Sequence, residues 1–295
     1  MGDANAPWFL RLYSWRMTTS HWTEIRVETW TQLVEVLHSP PLVDQRREEG
    51  DHYRSPFIFR GVQDAGWELA TSFQRLDTSG SRAGIERALL RSFRKYARSG
   101  TFDGASDWYV LAVAQHNGLP TRCLDWTSAP LVATHFATST NDHAAADAAI
   151  WCLDTRAVRD HLSAPPVRAA IHSQYAWLFD TRMLESAFAT LWDFDKAHPP
   201  SEHSLVIWEP PSIDGRIQNQ NGLFTVASDP EVSQHKLLAS LAEKVPDAVF
   251  KITIAASAKP MIRDMLDLNN FTERMLFPGL PGLCDWLKRR YSRAW

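Results

Sequence analysis

Cysteine is scarce. Three in 295 residues, Cys123, Cys152 and Cys284, are odd in number and widely spaced. They supply neither a disulfide framework nor a zinc site, which points to a reducing compartment. Long apolar runs are missing: none approaches the ~18 residues a membrane span requires, and the opening MGDANAPWFLRLYSWRM has no signal-like apolar stretch. Its Met-Gly start does not complete a myristoylation motif, because Ala6 stands where that motif has Ser or Thr. The chain therefore reads as soluble and cytoplasmic, with no membrane partner. An excess of one charge is also missing. The net charge is −3, so contact with nucleic acid requires a local basic face. There is no G-x-G-x-x-G, Walker A loop, H-E-x-x-H or G-x-S-x-G, which removes support for a Rossmann cofactor site, a P-loop ATPase, a zincin and an α/β-hydrolase. The eleven histidines show no ligand spacing, so no metal is expected.

What is present is enough apolar material for a core, 44%, and thirteen tryptophans, of which some are expected to line a groove. Strands are expected at 23–30, 57–62, 148–154, 203–211 and 248–254. Helices are expected at 31–41, 82–98, 106–118, 131–138, 181–193, 231–243, 258–268 and 280–292. Residues 119–130 read as a loop or short strand, and 216–228 as a hairpin turning at Asn221-Gly222. On that hairpin Gln218 and Gln220 would share a face. Helices and strands mix without a βαβ rhythm, so the class is α+β.

Two features carry chemistry. The strand PFIFRGVQD places Arg60 on the same face as Ile58 and Val62. A guanidinium keeps its proton and is costly to bury alone, so Arg60 is either at an edge in water, paired with an acid such as Asp125, or facing an anion. The second feature is AQHNGLPTRCLDWTSAPLVATHFA, at 114–137. It gathers His116, Thr121, Arg122, Asp125, Trp126, Thr127 and Ser128 between two helices, where loops on a rigid scaffold carry sites. Capping and an Arg122–Asp125 pair are the plainer reading. A cysteine hydrolase would combine Cys123 with His116 and Asp125, and a hydrolase without cysteine would use His116 and Asp125 as acid and base. The helix at 82–98 carries Arg82, Arg87, Arg91, Arg94, Lys95 and Arg98 around an apolar stripe of Ile85, Leu89, Phe93 and Tyr96. It is the candidate contact for nucleic acid.

Phe59-Arg60-Gly61, the run from Gln115 to Thr127 and MLFPGLPGL near the end together resemble the FRG domain family, across residues 22–292, leaving 1–21 as an arm. A more distant resemblance is to the arginine-type ADP-ribosyltransferases. Their three blocks correspond here to Phe59-Arg60-Gly61, to Trp126-Thr127-Ser128 with Ala133 and Phe136, and to Thr272-Glu273-Arg274-Met275-Leu276-Phe277-Pro278. The middle block lacks its first serine, and Arg274 stands where that family has its glutamate, with Glu273 one place earlier. This resemblance implies a single mixed domain with a split or partly antiparallel central sheet. It also implies NAD as substrate, and an enzyme acting as a bacterial toxin or phage-defence effector. Arg60 would contact a phosphate or ribose, and Glu273 would stabilise the charge that develops as nicotinamide leaves. Thr121, Arg122, Asp125, Trp126, Thr127, Ser128 and Gln220 would line the nucleotide site, with His116 a further catalytic candidate. Trp67 or Trp126 would stack on a base. The alternative is a non-catalytic module that binds a nucleotide or nucleic acid.

Overall fold

A computed structural model describes residues 21–39, 41–42, 55–139, 143–163, 165–173, 178–197 and 203–292. The expected N-terminal arm, apart from His21, lies outside the described residues. The strands are β1 (Thr23–Val27), β2 (Phe57–Val62), β3 (Cys123–Thr127), β4 (Ala148–Asp154), β5 (Phe179–Asp180), β6 (Leu205–Glu209), β7 (Gly222–Ala227) and β8 (Val249–Ile254). The first helices are α1 (Trp30–Leu37), α2 (Arg82–Tyr96), α3 (Asp107–His116) and α4 (Pro130–Thr138). Then come α5 (Thr155–His161), α6 (Pro165–Ser173), α7 (Thr181–Ala187), α8 (Leu191–Lys196) and α9 (Gly215–Gln220). The last are α10 (Gln234–Lys244), α11 (Lys259–Leu268), α12 (Glu273–Leu276) and α13 (Leu280–Tyr291).

Among the described residues all eight strands join one mixed sheet in the order β1-β8-β4-β2-β3-β7-β6-β5. The pairs β1–β8 and β5–β6 are parallel, and the others antiparallel. Strand β4 is central and buried on both faces, which is why AAIWCLD is almost wholly apolar. The alternation of β2 sends Phe57 and Phe59 to one face, against α1, α4 and α11. Ile58 and Val62 go to the other face, against α5 and α10. Beyond β3, the first face continues as a third cluster, in which Trp108 of α3 meets Trp208 and Phe194.

The sheet is nearly severed in its middle. Strand β2 pairs with β4 along its whole length but with β3 through Phe59↔Thr127 alone. From that pair the two strands diverge.

Of the two readings of residues 119–130, the short strand holds, as β3. Two other expectations need correction. Residues 216–228 form α9 followed by β7, not a hairpin. Asp214 caps the helix by accepting from the Arg216 and Ile217 amides, and Asn221 ends it in the left-handed conformation at φ 44. Asn-Gly serves a helix stop as well as it serves a hairpin turn. The helix expected at 181–193 is broken into α7 and α8, because Thr190 and Asp193 form a capping box that starts a new helix.

Candidate active site

Phe59, Arg60 and Gly61 each answer a different demand. Phe59 fills the core. Gly61 lies so close to α4 that a Cβ there would sit 1.9 Å from the Ala133 carbonyl oxygen and 2.6 Å from the Ala137 nitrogen. Arg60 enters the opening between β2 and β3. Its Nη1 donates to the Asp125 carbonyl oxygen at 2.6 Å and lies 3.8 Å from Asp125 Oδ2. Its Nε is buried and has no hydrogen-bond partner. Burial pulls this guanidinium below the usual arginine range. Asp125 opposes that effect, and the positive charge of Arg75 adds to it.

The opening widens into a cleft of about 1380 Å³, lined by Arg60, Trp67, Arg75, Gln115, His116, Asp125, Phe136, Asp214, Arg216, Gln220 and Phe277, among others. Its walls come from five parts of the chain. The last turn of α3 brings Gln115, whose Nε2 donates to both Asp125 carboxylate oxygens at 2.9 Å and whose Oε1 accepts from the Thr121 hydroxyl. Asp125 is thereby aimed while 60% of its side chain stays exposed. His116 follows on the same turn, with Nε2 2.7 Å from Asp214 Oδ2. Burial alone would raise the Asp214 carboxyl. The bond from His116 and the amides of Ile217 and Arg216 hold it below the ordinary carboxylate range.

Arg216 stacks 5.0 Å over the Phe277 ring, with its Nε buried and unpartnered. Arg75 is exposed and donates to the Ala70 carbonyl at 2.5 Å. Phe136 meets Phe277 edge-on at 6.0 Å, and Trp67 is 44% exposed at the rim. Three guanidiniums with aromatic walls suit a ligand that carries both phosphate and a flat ring. Among the described residues no group of His, Cys, Asp or Glu could hold a metal ion.

Other residues singled out in the sequence build the frame, and of these Trp126, Thr127 and Gln220 also reach the cleft wall. The Thr127 hydroxyl donates to the Gln220 carbonyl at 2.6 Å and accepts from the Ala129 amide at 3.0 Å, tying β3 to α9 and α4. The Gln220 amide donates to the Leu276 carbonyl at 3.0 Å. Trp126 is buried and donates to Thr225 Oγ1 at 2.9 Å. Thr121 is buried, and Ser128, exposed, does not line the cleft. Arg122 pairs not with Asp125 but with Glu86 and Asp195, at 2.8 Å (Nε–Oε1) and 2.5 Å (Nη1–Oδ1). Glu273 is 8% exposed, accepts from Arg263 and Arg289 at 2.7 Å each and is not part of the cleft wall. Cys123 is buried, and burial pushes its thiol far up, which leaves no thiolate for a nucleophile.

On α2 the cations divide. Arg82 faces Glu231 and donates to the Phe73 carbonyl, Arg94 pairs with Asp107, and Arg87 lies 3.7 Å from the Trp192 ring. Arg91 and Lys95, and Arg98 just beyond the helix, face solvent. The buried member of this helix is Glu86, the partner of Arg122, while Tyr96 from the expected apolar stripe is 77% exposed. Among the described residues no helix is long and apolar enough to cross a membrane.

Sequence reasoning passed over Arg75, Asp214 and Arg216. For Asp214 a signal existed: an aspartate directly before a helix is a cap, but the hairpin reading of 216–228 hid the helix. The two arginines stand in irregular or misassigned segments, where spacing gives no direction.

Residues 55–146 match the family model of the FRG domain. Nothing among curated proteins matches the chain, and no solved structure matches it either.

Proposed function

We propose that this chain, which carries an FRG domain over residues 55–146, binds a dinucleotide in the β2–β3 cleft, NAD first among them, and cleaves its nicotinamide–ribose bond. One observation carries this reading. The Arg60 side chain is 20% exposed, yet its Nε is buried and unpartnered and the charge of Arg75 acts against it, at the edge of a cleft of about 1380 Å³. A lone carboxylate does not satisfy two neighbouring guanidiniums, whereas a pyrophosphate does. Arg60, Arg75 and Arg216 take the phosphates, and Trp67, Phe136 and Phe277 offer faces to the rings.

Asp125 is the acid of the chemical step. It lines the cleft beside Arg60, and the Gln115 amide keeps it aimed. A carboxylate so placed stabilises positive charge at the ribosyl carbon as neutral nicotinamide leaves. Glu273, the acid to which the family resemblance points, is committed to Arg263 and Arg289 and serves the frame. Sustained cleavage depletes NAD, which is how such a protein would act as a toxin or defence effector.

Titration calorimetry with NAD and a nicotinamide-release assay test the reading. Arg60→Gln is expected to weaken NAD binding by about 10- to 100-fold, the worth of charge-assisted hydrogen bonds. Asp125→Asn is expected to bind NAD within about threefold of wild type and to lose about 100-fold in turnover. Absence of NAD binding, or equal affinity in Arg60→Gln, overturns the reading. Binding without nicotinamide release leaves a non-catalytic nucleotide module.

A further inference from the structure

We propose that His116 and Asp214 form a base dyad that activates an O–H acceptor, water in the simplest case, for attack on the ribosyl carbon. This rests on the NAD-cleaving reading of the same cleft. The geometry is that of a held base. Nε2 of His116 lies 2.7 Å from Asp214 Oδ2, so Nε2 carries the proton and Nδ1 the lone pair. Nδ1 makes no hydrogen bond to any described residue, and the ring, 12% exposed, lies on the cleft wall.

Asp214 is itself fixed. Its Oδ1 accepts from the Arg216 amide at 2.9 Å and the Ile217 amide at 3.3 Å. A helix cap needs only that oxygen, yet the second oxygen is turned to the imidazole. The arrangement of a base oriented by a buried or pinned carboxylate recurs wherever a hydroxyl must lose its proton.

In the step, the bond between the ribosyl carbon and the pyridinium nitrogen breaks, and its electron pair leaves with nicotinamide. The acceptor oxygen forms the new bond to that carbon. Its proton passes to His116 Nδ1, giving an imidazolium paired with Asp214, and is then released to solvent. With water as acceptor the products are ADP-ribose, nicotinamide and one proton. His116 touches the acceptor and is the catalytic residue. Asp214 acts through it and is a positioning residue.

The experiment measures NAD affinity by calorimetry and nicotinamide release by chromatography, on the full chain. His116→Gln is expected to bind NAD within about threefold of wild type and to lose about 100-fold in turnover. His116→Gly is expected to regain part of its rate when imidazole is added, which no structural role of the ring would produce. Asp214→Asn keeps a good helix cap and is expected to lose about tenfold, with Asp214→Glu recovering part of it. Turnover of His116→Gln within a few-fold of wild type, or no imidazole rescue, overturns the proposal. So does a wild type that binds NAD but releases no nicotinamide, and in that case the binding half of the function stands. A wild type that binds no NAD removes both.

Discussion

A strand packed one side chain from a helix backbone has no room for a methyl group, and Gly61 is in that position. Gly61→Ala forces β2 away from α4, where the Ala133 carbonyl would meet the new Cβ at 1.9 Å. The expected loss is about 3 kcal/mol, the upper part of the range for overpacking, read from the midpoint of urea unfolding. Arg122 poses the opposite case. Removing it leaves Glu86 and Asp195 sharing an enclosed site without their cation. Arg122→Ala is expected to destabilise by about 3–5 kcal/mol, and calorimetry on the remaining folded protein should find NAD affinity unchanged. At this scale the sequence shows which residues are unusual but not where each one points. Arg60 stood out because it interrupts an apolar strand. Arg122 stood out equally, three places from Asp125, yet it sits in the bend just before β3 and reaches Glu86 on α2.

The C-terminal elements hang on one buried charge cluster. Glu273 of α12 accepts from Arg263 of α11 and Arg289 of α13, and Arg289 also grips Asp267 at 2.6 Å. Arg263 in turn donates to His135 Nδ1 at 2.9 Å, which links the cluster to α4. Burial and the Arg263 charge push His135 down to about 3 from an ordinary 6.5. Below pH 6.5 the unfolded chain takes up a proton that folded His135 refuses. Stability is therefore lost as pH falls, by up to about 1.4 kcal/mol per pH unit from this group. Burial opposes Glu273 ionisation, but Arg289 and Arg263 win and hold its carboxyl below 4.5. Its contribution is present above that value and is lost on further acidification. Urea midpoints between about pH 7 and about pH 5 should fall for wild type and fall less for His135→Gln. Some slope remains, because burial also lowers His235. An unchanged slope in the variant would remove His135 as the cause. Elements of regular periodicity were legible: α1, α11 and α13 stand within a few residues of where their spacing puts them. The α9–β7 corner was not, since Asn221-Gly222 suits two structures and only the amides held by Asp214 select the helix.

At the scale of the molecule, the β2–β3 seam decides how the halves of the sheet are coupled. The FRG match at 55–146 contains both strands of the seam, with Arg60, Gln115, His116 and Asp125. Strands β1, β4, β5, β6, β7 and β8 lie outside it yet complete the same sheet, and the cleft takes Asp214, Arg216 and Phe277 from outside it as well. The α+β class was legible because strands and helices keep separate periodicities, and the sheet takes the partly antiparallel form of the expectation, as one mixed sheet. The far wall of the cleft was not legible, because it is assembled from segments, at 214–217 and 277–281, that lie far along the chain from β2 and β3. Across the seam the structure offers one strand pair and the Arg60–Asp125 bond. A dinucleotide held by Arg60 on one side and by Arg216 on the other would bridge that gap, and ligand contacts that span a weak seam suppress its local opening. Hydrogen exchange at saturating NAD should therefore slow in residues 57–62 and 123–127 and stay unchanged in β1, which pairs with β8 at the far edge. Arg60→Gln should show no such protection at the same NAD concentration. Equal slowing everywhere would mean that the ligand stabilises the fold without bridging the seam. No slowing at 57–62 would place the bound nucleotide somewhere other than this cleft.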